Sequence, residues 1–470
     1  MTTRRSFLGQ TGLLGAALGA GTASAAAAAA PANSKEADLQ HAIEQMPVDD
    51  SHCHPISKKD AHTSADDFLE RLALSAFPAP AYFPAGVYDQ WHKGDAATRA
   101  RLDSQYDIAK THRAMIWHFS QSVFVKAMVK EMASFLGCKP QLDAVIEARN
   151  ARGSDYYRYM NELFRDARIE NVMIDTGYAD GLDADGMHAF EAAVAPTKAR
   201  YLARVETITD ELFELDLGYE DLRDKFVARV RDALDGTGNF GRRSWGMKSY
   251  LLPDIGVIRP TYDDTAAASS WQAFRATRGK QYQDRNEATQ RGKVLRERLL
   301  TLALEECLER DMPMQFHTGD GEAPSVTLRN QHAYYLEEVA RFDKDGLLRQ
   351  PKIIPIHAGY PLVDEAAWLS HLYVNVYFEI SLMNPFIHQG LLARFLQIME
   401  AVPLSKILFG SDSYHVPEMY WLAARWGKRY LARALTVYVR DGLLSTDEAL
   451  EAARMVLHLN NRRLYRLDSA

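Results

Sequence analysis

The sequence predicts an α/β fold, a (β/α)8 TIM barrel with a helical cap inserted after strand 1. Three observations carry that reading. From Asn171 onward, short apolar strands alternate with amphipathic helices, the pattern of parallel βα units. Several of those strands stop on a histidine or an acid, and the C-terminal ends of parallel strands are where such a barrel gathers its chemistry. Finally, the interval between the first two strands, Pro55 to Glu170, far exceeds the roughly 30 residues a crossover requires.

The first strand is read over Pro47 to His54. Alternation puts Val48, Asp50, His52 and His54 on one face and leaves Cys53 on the other, as buried packing. Pro55 ends it. The segment Ser57 to Arg165 reads as helices over Ala97–His118, Val123–Phe135, Leu142–Asn150 and Asp155–Asp166, rich in aromatics, and is expected to sit over the barrel mouth. Strand two is Asn171–Asp175. Strand three is Tyr201–Ile208, with Arg204 and Glu206 sharing a face, followed by a helix over Asp221–Leu234. Strand four, Ser244–Leu251, aligns Gly246, Lys248 and Tyr250.

A polar second insertion, Thr261 to Gln290, runs into a helix over Lys293–Arg310 before strand five at Gln315–His317. Strand six spans Pro351–His357, where Pro355 requires a bulge or a late start. Strand seven, Val374–Ser381, aligns Asn375, Tyr377, Glu379 and Ser381. Strand eight, Lys406–Asp412, puts Leu408, Gly410 and Asp412 on one face, and Pro417 to the end is helical.

At its start the chain carries Thr3-Arg4-Arg5-Ser6-Phe7-Leu8-Gly9, an apolar Gly/Leu/Ala run and Ala23-Ser24-Ala25. This reads as a twin-arginine signal peptide over residues 1–30, read by the Tat export machinery, with a periplasmic or secreted mature protein. A disordered alanine-rich leader or a membrane anchor is the plainer alternative. Residues 31–46 form a linker and short helix, and 47–470 the barrel, with insertions at about 57–165 and 261–290. Cleavage would move the net charge from −7 to about −9. No basic stripe appears, so nucleic acid is excluded as a partner, and no integral membrane segment remains after cleavage. Three scattered cysteines do not make a disulfide framework.

The chemistry lies in four stretches: Asp50-Ser51-His52-Cys53-His54, Gln315-Phe316-His317-Thr318-Gly319, Ile356-His357-Ala358-Gly359, and Phe409-Gly410-Ser411-Asp412. Four histidines and one aspartate at strand ends make a metal cage. Imidazole with carboxylate suits Zn²⁺ first, with Mn²⁺, Fe²⁺ or Ni²⁺ also fitting. A metal acidifies water, and Asp412 is placed to accept its proton. The bland readings are a helix cap for Asp412 and core packing for His317 and His357. Tyr414 and His415, on the loop after Asp412, and Tyr250 are candidates for substrate contact. Glu379 and Tyr377 are substrate groups, support for the ligands, or barrel filling.

These four stretches resemble the amidohydrolase superfamily, in its amidohydrolase-related (type 2) branch. Asn375-Val376-Tyr377-Phe378-Glu379-Ile380-Ser381 and Pro417-Glu418 are similar to the amidohydrolase-like half of FluG-type glutamine-synthetase fusions. The resemblance covers the strands from Pro47 to about Arg425 and neither insertion. It implies His52 and His54 as first-site ligands, His317 and His357 as ligands from strands five and six, and Asp412 as ligand and general base. It also implies a carboxylated Lys248 bridging two ions; a barrel lysine can equally bind a substrate carboxylate, and a single ion needs none. The implied activity is hydrolysis of an amide, peptide-like or ester bond in a small-molecule substrate, by a chain that forms a homo-oligomer. Metal-dependent non-oxidative decarboxylation and a non-catalytic ligand-binding barrel are the alternatives.

Overall fold

The computed structural model describes residues 34–76, 87, 90, 91, 94–179, 181–277, 290–319 and 328–467. The expected leader (1–30) and residues 278–289 of the second insertion lie outside the described residues, while its helix Asp264–Arg275 is within them. Six strands form one parallel sheet in chain order: β1 (Val48–Cys53), β2 (Ile169–Asp175), β3 (Lys198–Arg204), β4 (Ser244–Ser249), β5 (Met314–His317) and β6 (Ile353–Ile356). Two short strands, β7 (Phe378–Glu379) and β8 (Ile407–Leu408), pair in parallel beside it. A bridge between Ile353 and Val376 joins β6 to the β7 segment. The ring closes through backbone bonds from Ser51 N to Phe409 O (3.0 Å), Asp412 N to His52 O (2.9 Å) and His54 N to Ser413 O (2.9 Å).

Pro355 lies within β6, opposite Phe316 of β5, and the strand does start late, at Ile353. On the β7 side, Ile353 exchanges bonds with Asn375 and Tyr377, so the next donor in the ladder would be the N–H that proline lacks. The Ser370 hydroxyl stands in for it, sharing its one hydrogen between Ala366 O (2.8 Å) and Tyr377 O (3.0 Å). A side chain from the following helix thus satisfies the carbonyl that the proline leaves open.

Three expected boundaries are corrected. β3 ends at Arg204, and Val205–Phe213 is helical, so Glu206 is not on the barrel wall; it accepts from Ser249 Oγ at 2.8 Å instead. β4 stops at Ser249, and Tyr250 precedes a short helix, Leu251–Ile255. The single helix expected over Ala97–His118 breaks at Asp107, whose φ of 50° turns the chain between Ala96–Tyr106 and Ile108–Ser120.

The insertion after β1 is helical as expected, yet its contacts run along the flank of the barrel, against the helix Glu418–Arg440. Arg149 Nε meets Glu418 Oε1 at 2.6 Å with both side chains fully buried, and Tyr159 Oη donates to the same oxygen at 2.9 Å. Phe164 packs on Tyr420 (4.8 Å between rings) and Phe135 on Trp421 (5.0 Å). Inside the ring, Met173, Leu202, Ile354, Ile356 and Leu408 form an apolar floor completed by Leu464, Tyr465 and Leu467 from the end of the chain. Among the described residues, no helix is long and apolar enough to cross a membrane.

Candidate metal centre

β1 delivers His52 and His54 to the C-terminal rim, their rings 5.3 Å apart and edge to face. The segment after β8 delivers Asp412, with φ 52°, and the one after β6 delivers His357, with φ 68°. Both non-glycine residues sit in the left-handed region, a cost that structures retain mainly where a side chain must be aimed. His52 Nε2 and His54 Nε2 lie 3.0 and 3.3 Å from the same oxygen, Asp412 Oδ1. His357 brings a ligand atom within 4.8 Å of both His52 and Asp412.

The hydrogen bonds behind the rings fix their tautomers. His54 Nδ1 faces the backbone carbonyl of Asp175 at 3.0 Å; a carbonyl only accepts, so Nδ1 carries the hydrogen. His52 Nδ1 faces Gln315 Oε1 at 2.8 Å, with the Gln315 amide nitrogen occupied by Ser51 O at 2.7 Å, so again Nδ1 carries the hydrogen. His357 Nδ1 meets Ser381 Oγ at 2.9 Å, and with Glu379 ionised that hydroxyl donates to Glu379 Oε2 at 2.6 Å, leaving its lone pair for Nδ1–H. In each neutral ring Nε2 is therefore the lone pair. Burial, with Lys248 nearby, pulls the His52 pKa down to about 4, and burial likewise holds His357 well below its ordinary value. Near neutral pH, bare lone pairs thus confront a carboxylate oxygen, and His52 Nε2 is buried without a hydrogen-bond partner. Acceptor against acceptor at 3.0 Å is repulsive unless a cation lies between them, so these residues fit a divalent ion.

His317 lines the same pocket, its ring 4.5 Å from those of His357 and Tyr250, but it belongs to neither ligand group within 4.8 Å among the described residues. Those groups are His52–His357–Asp412 and His52–His54–Asp175. Asp175, at the tip of β2, is committed elsewhere: both its oxygens accept from Arg204 Nε (3.2 and 3.1 Å), and Oδ1 also takes Gly177 N. Burial opposes its ionisation, but Arg204 and Lys248 hold its carboxyl well below the usual range. Lys248 is buried with Nζ 3.8 Å from Asp175 Oδ2, and burial beside Arg204 lowers its pKa to about 8. Arg204 also lies over the Tyr178 ring at 4.3 Å.

At the rim, the Tyr414 ring is 5.3 Å from His54 and 3.5 Å from His415, and Tyr250 lies beside His317 and Arg204. Glu379 does not belong with them as a substrate group. It is fully buried behind His357, accepting from His357 N (3.1 Å), Ser381 N (2.7 Å) and Ser381 Oγ, and burial raises its pKa to about 8. Gly410 permits this: a Cβ there would come within 1.7 Å of Glu379 Oε1. Asp50 works in the same way beneath β1, accepting from His52 N at 3.2 Å and Ser411 N at 3.0 Å. Sequence reasoning assigned no role to Asp175, Arg204, Tyr178, Gln315 or Ser381. The signal available for the first two was their place at strand tips, the criterion that found the histidines.

Residues 274–467 match the Amidohydro_2 (amidohydrolase) family model. The chain is 27% identical over 176 residues to protein FluG of Emericella nidulans, an alignment covering 37% of this chain and about a fifth (20%) of that relative's length. A crystal structure from Lactobacillus casei, described provisionally as a metal-dependent hydrolase, superposes with a TM-score of 0.66 at 21% identity, covering 92% of this chain and 98% of that one. A uronate isomerase from Bacillus halodurans superposes at 0.55 (13% identity, 93% and 97% covered), and a glucuronate isomerase from Caulobacter crescentus also at 0.55 (14%, 93% and 94%). At these identities the structural likenesses speak for the barrel fold alone. Together with the His-x-His, His and Asp stretches at the strand tips, the family match over residues 274–467 supports the amidohydrolase-related branch and a likeness to FluG.

Proposed function

We propose that the protein is a metal-dependent hydrolase that cleaves an amide, peptide-like or ester bond in a small-molecule substrate. The observation that carries this reading is the set of imidazole lone pairs turned on one carboxylate oxygen. His52, His54, His357 and Asp412 would hold a single divalent ion, Zn²⁺ by donor type, with His317 beside it. Such an ion acts as a Lewis acid on a carbonyl and lowers the pKa of water.

The chain's own residues do the rest. Asp412 is the partly exposed member of the set, with 16% of its side chain accessible, and in this reading its second oxygen meets the substrate at the mouth. There Oδ2 accepts the proton of the attacking water and returns it to the leaving nitrogen or oxygen. Tyr250, Tyr414 and His415 border the opening and bind substrate, while the Asp175–Arg204 pair keeps the wall beside Lys248 rigid. In this reading Lys248 stays an amine.

Asp412→Asn, assayed at saturating Zn²⁺ so that the site stays filled, tests the role. Turnover on an amide and ester panel should fall about 10²–10⁴-fold, and ¹⁸O from solvent should enter the wild-type product. Release of carbon dioxide without water incorporation would favour decarboxylation, and near-native turnover of the variant would remove Asp412 from the mechanism. We further propose that residues 1–30 direct export through the twin-arginine pathway. Arg4→Lys with Arg5→Lys should then leave the protein in the cytoplasm; unchanged fractionation would count against it.

A further inference from the structure

We infer that Tyr465, in the C-terminal plug of the barrel, is a positioning residue for the metal centre, acting through Gln315 on the tautomer of His52. The inference rests on the metal-holding part of the reading above, not on the reaction. Tyr465 lies in the apolar floor, yet its hydroxyl is 2.8 Å from Gln315 Nε2, on a strand 150 residues earlier in the chain. Gln315 is fully buried, and each of its amide hydrogens has a defined acceptor: the Ser51 carbonyl at 2.7 Å and the Tyr465 hydroxyl. With both donors committed, Oε1 is left for His52 Nδ1 at 2.8 Å.

Reversing the amide would set its oxygen against the Ser51 carbonyl, acceptor against acceptor, so only one orientation is tolerated. That orientation forces the hydrogen onto Nδ1 and the lone pair onto Nε2, where it faces Asp412. Removing the tyrosine hydroxyl strands one buried N–H and loosens the amide that sets the tautomer. The floor of the barrel thereby reaches the ligand at its rim through a single side chain. A leucine or phenylalanine at 465 would fill the same space without this function.

The test uses the full chain with two variants, Tyr465→Phe and Gln315→Met, which keep the packing and remove the hydrogen bonds. Zn²⁺ affinity is measured by chelator competition, and the His52 tautomer by ¹⁵N NMR of the metal-free protein. We expect the wild-type ring to show protonated Nδ1. Gln315→Met should weaken Zn²⁺ binding about 10–100-fold and mix the tautomers, and Tyr465→Phe should weaken it about fivefold. A wild-type ring protonated at Nε2, or a Tyr465→Phe protein with native affinity and tautomer, would overturn the inference. If Gln315→Met fails to fold, Tyr465→Phe decides by the same two readouts. Because the tautomer is read without metal or substrate, its outcome is independent of which reaction the enzyme performs.

Discussion

Replacing Asp412 by asparagine should move stability and metal affinity in opposite directions. In the metal-free protein with its rings neutral, Asp412 Oδ1 faces His52 Nε2 at 3.0 Å and His54 Nε2 at 3.3 Å, three acceptors with no hydrogen to share. A carboxamide turned with its nitrogen toward the rings offers a hydrogen to each lone pair. Two neutral hydrogen bonds at about 1 kcal/mol each would stabilise the metal-free variant by about 2 kcal/mol. The lost charge acts the other way. Unit charges 4 Å apart at an effective dielectric constant near 20 attract by about 4 kcal/mol, roughly 10³-fold in Kd. A divalent ion closer than that makes the figure a floor. Urea unfolding of the metal-free proteins reads the first effect, and chelator competition for Zn²⁺ reads the second. A metal-free variant less stable than wild type, or one within tenfold of wild-type affinity, would refute the reasoning that lone pairs crowd this carboxylate.

The remaining predictions concern the wall and the insertion. Arg149→Met leaves Glu418 buried without its partner and should cost about 3–5 kcal/mol; Arg149→Met with Glu418→Leu should recover most of it, as read from denaturant midpoints, and an unchanged single variant would mean the pair contributes nothing. Lys248→Ala should leave the metal content of purified protein at one ion per chain by elemental analysis. A fall from two ions to one or none would instead establish Lys248 as a bridge.

How much of this was legible beforehand depends on how locally each feature is encoded. His52 and His54 are two residues apart on a strand, so alternation alone puts both imidazoles on one face. Asp412 and His357 follow apolar strands and precede glycine-rich or polar turns, which marks them as strand tips. The end of β3 was misread because Val205, Thr207 and Ile208 are β-branched and favour strands in isolation. In the fold they belong to a helix, Val205–Phe213, from which Glu206 reaches Ser249 at the end of β4. That error hid Arg204 as a terminal residue, and with it the pair to Asp175, 29 positions earlier. Gln315 and Tyr465 are beyond any local pattern: nothing near either residue announces a hydrogen bond between a strand and the end of the chain. Glu379 was placed on the correct face of its strand, but depth along the barrel axis, which alternation does not report, decides between touching substrate and supporting His357.

The seam that closes the ring has a consequence for assembly. Ser51, His52 and His54 lie in and just after the first strand to be synthesised, and Phe409, Asp412 and Ser413 come after all eight strands. The two halves of the ion's cradle therefore meet only when the last staves of the barrel join, so capture of an ion is a late event that marks a finished fold. Once bound, the ion stabilises the closed ring over any opened form, acting as a clasp on the junction between the first strand and the last.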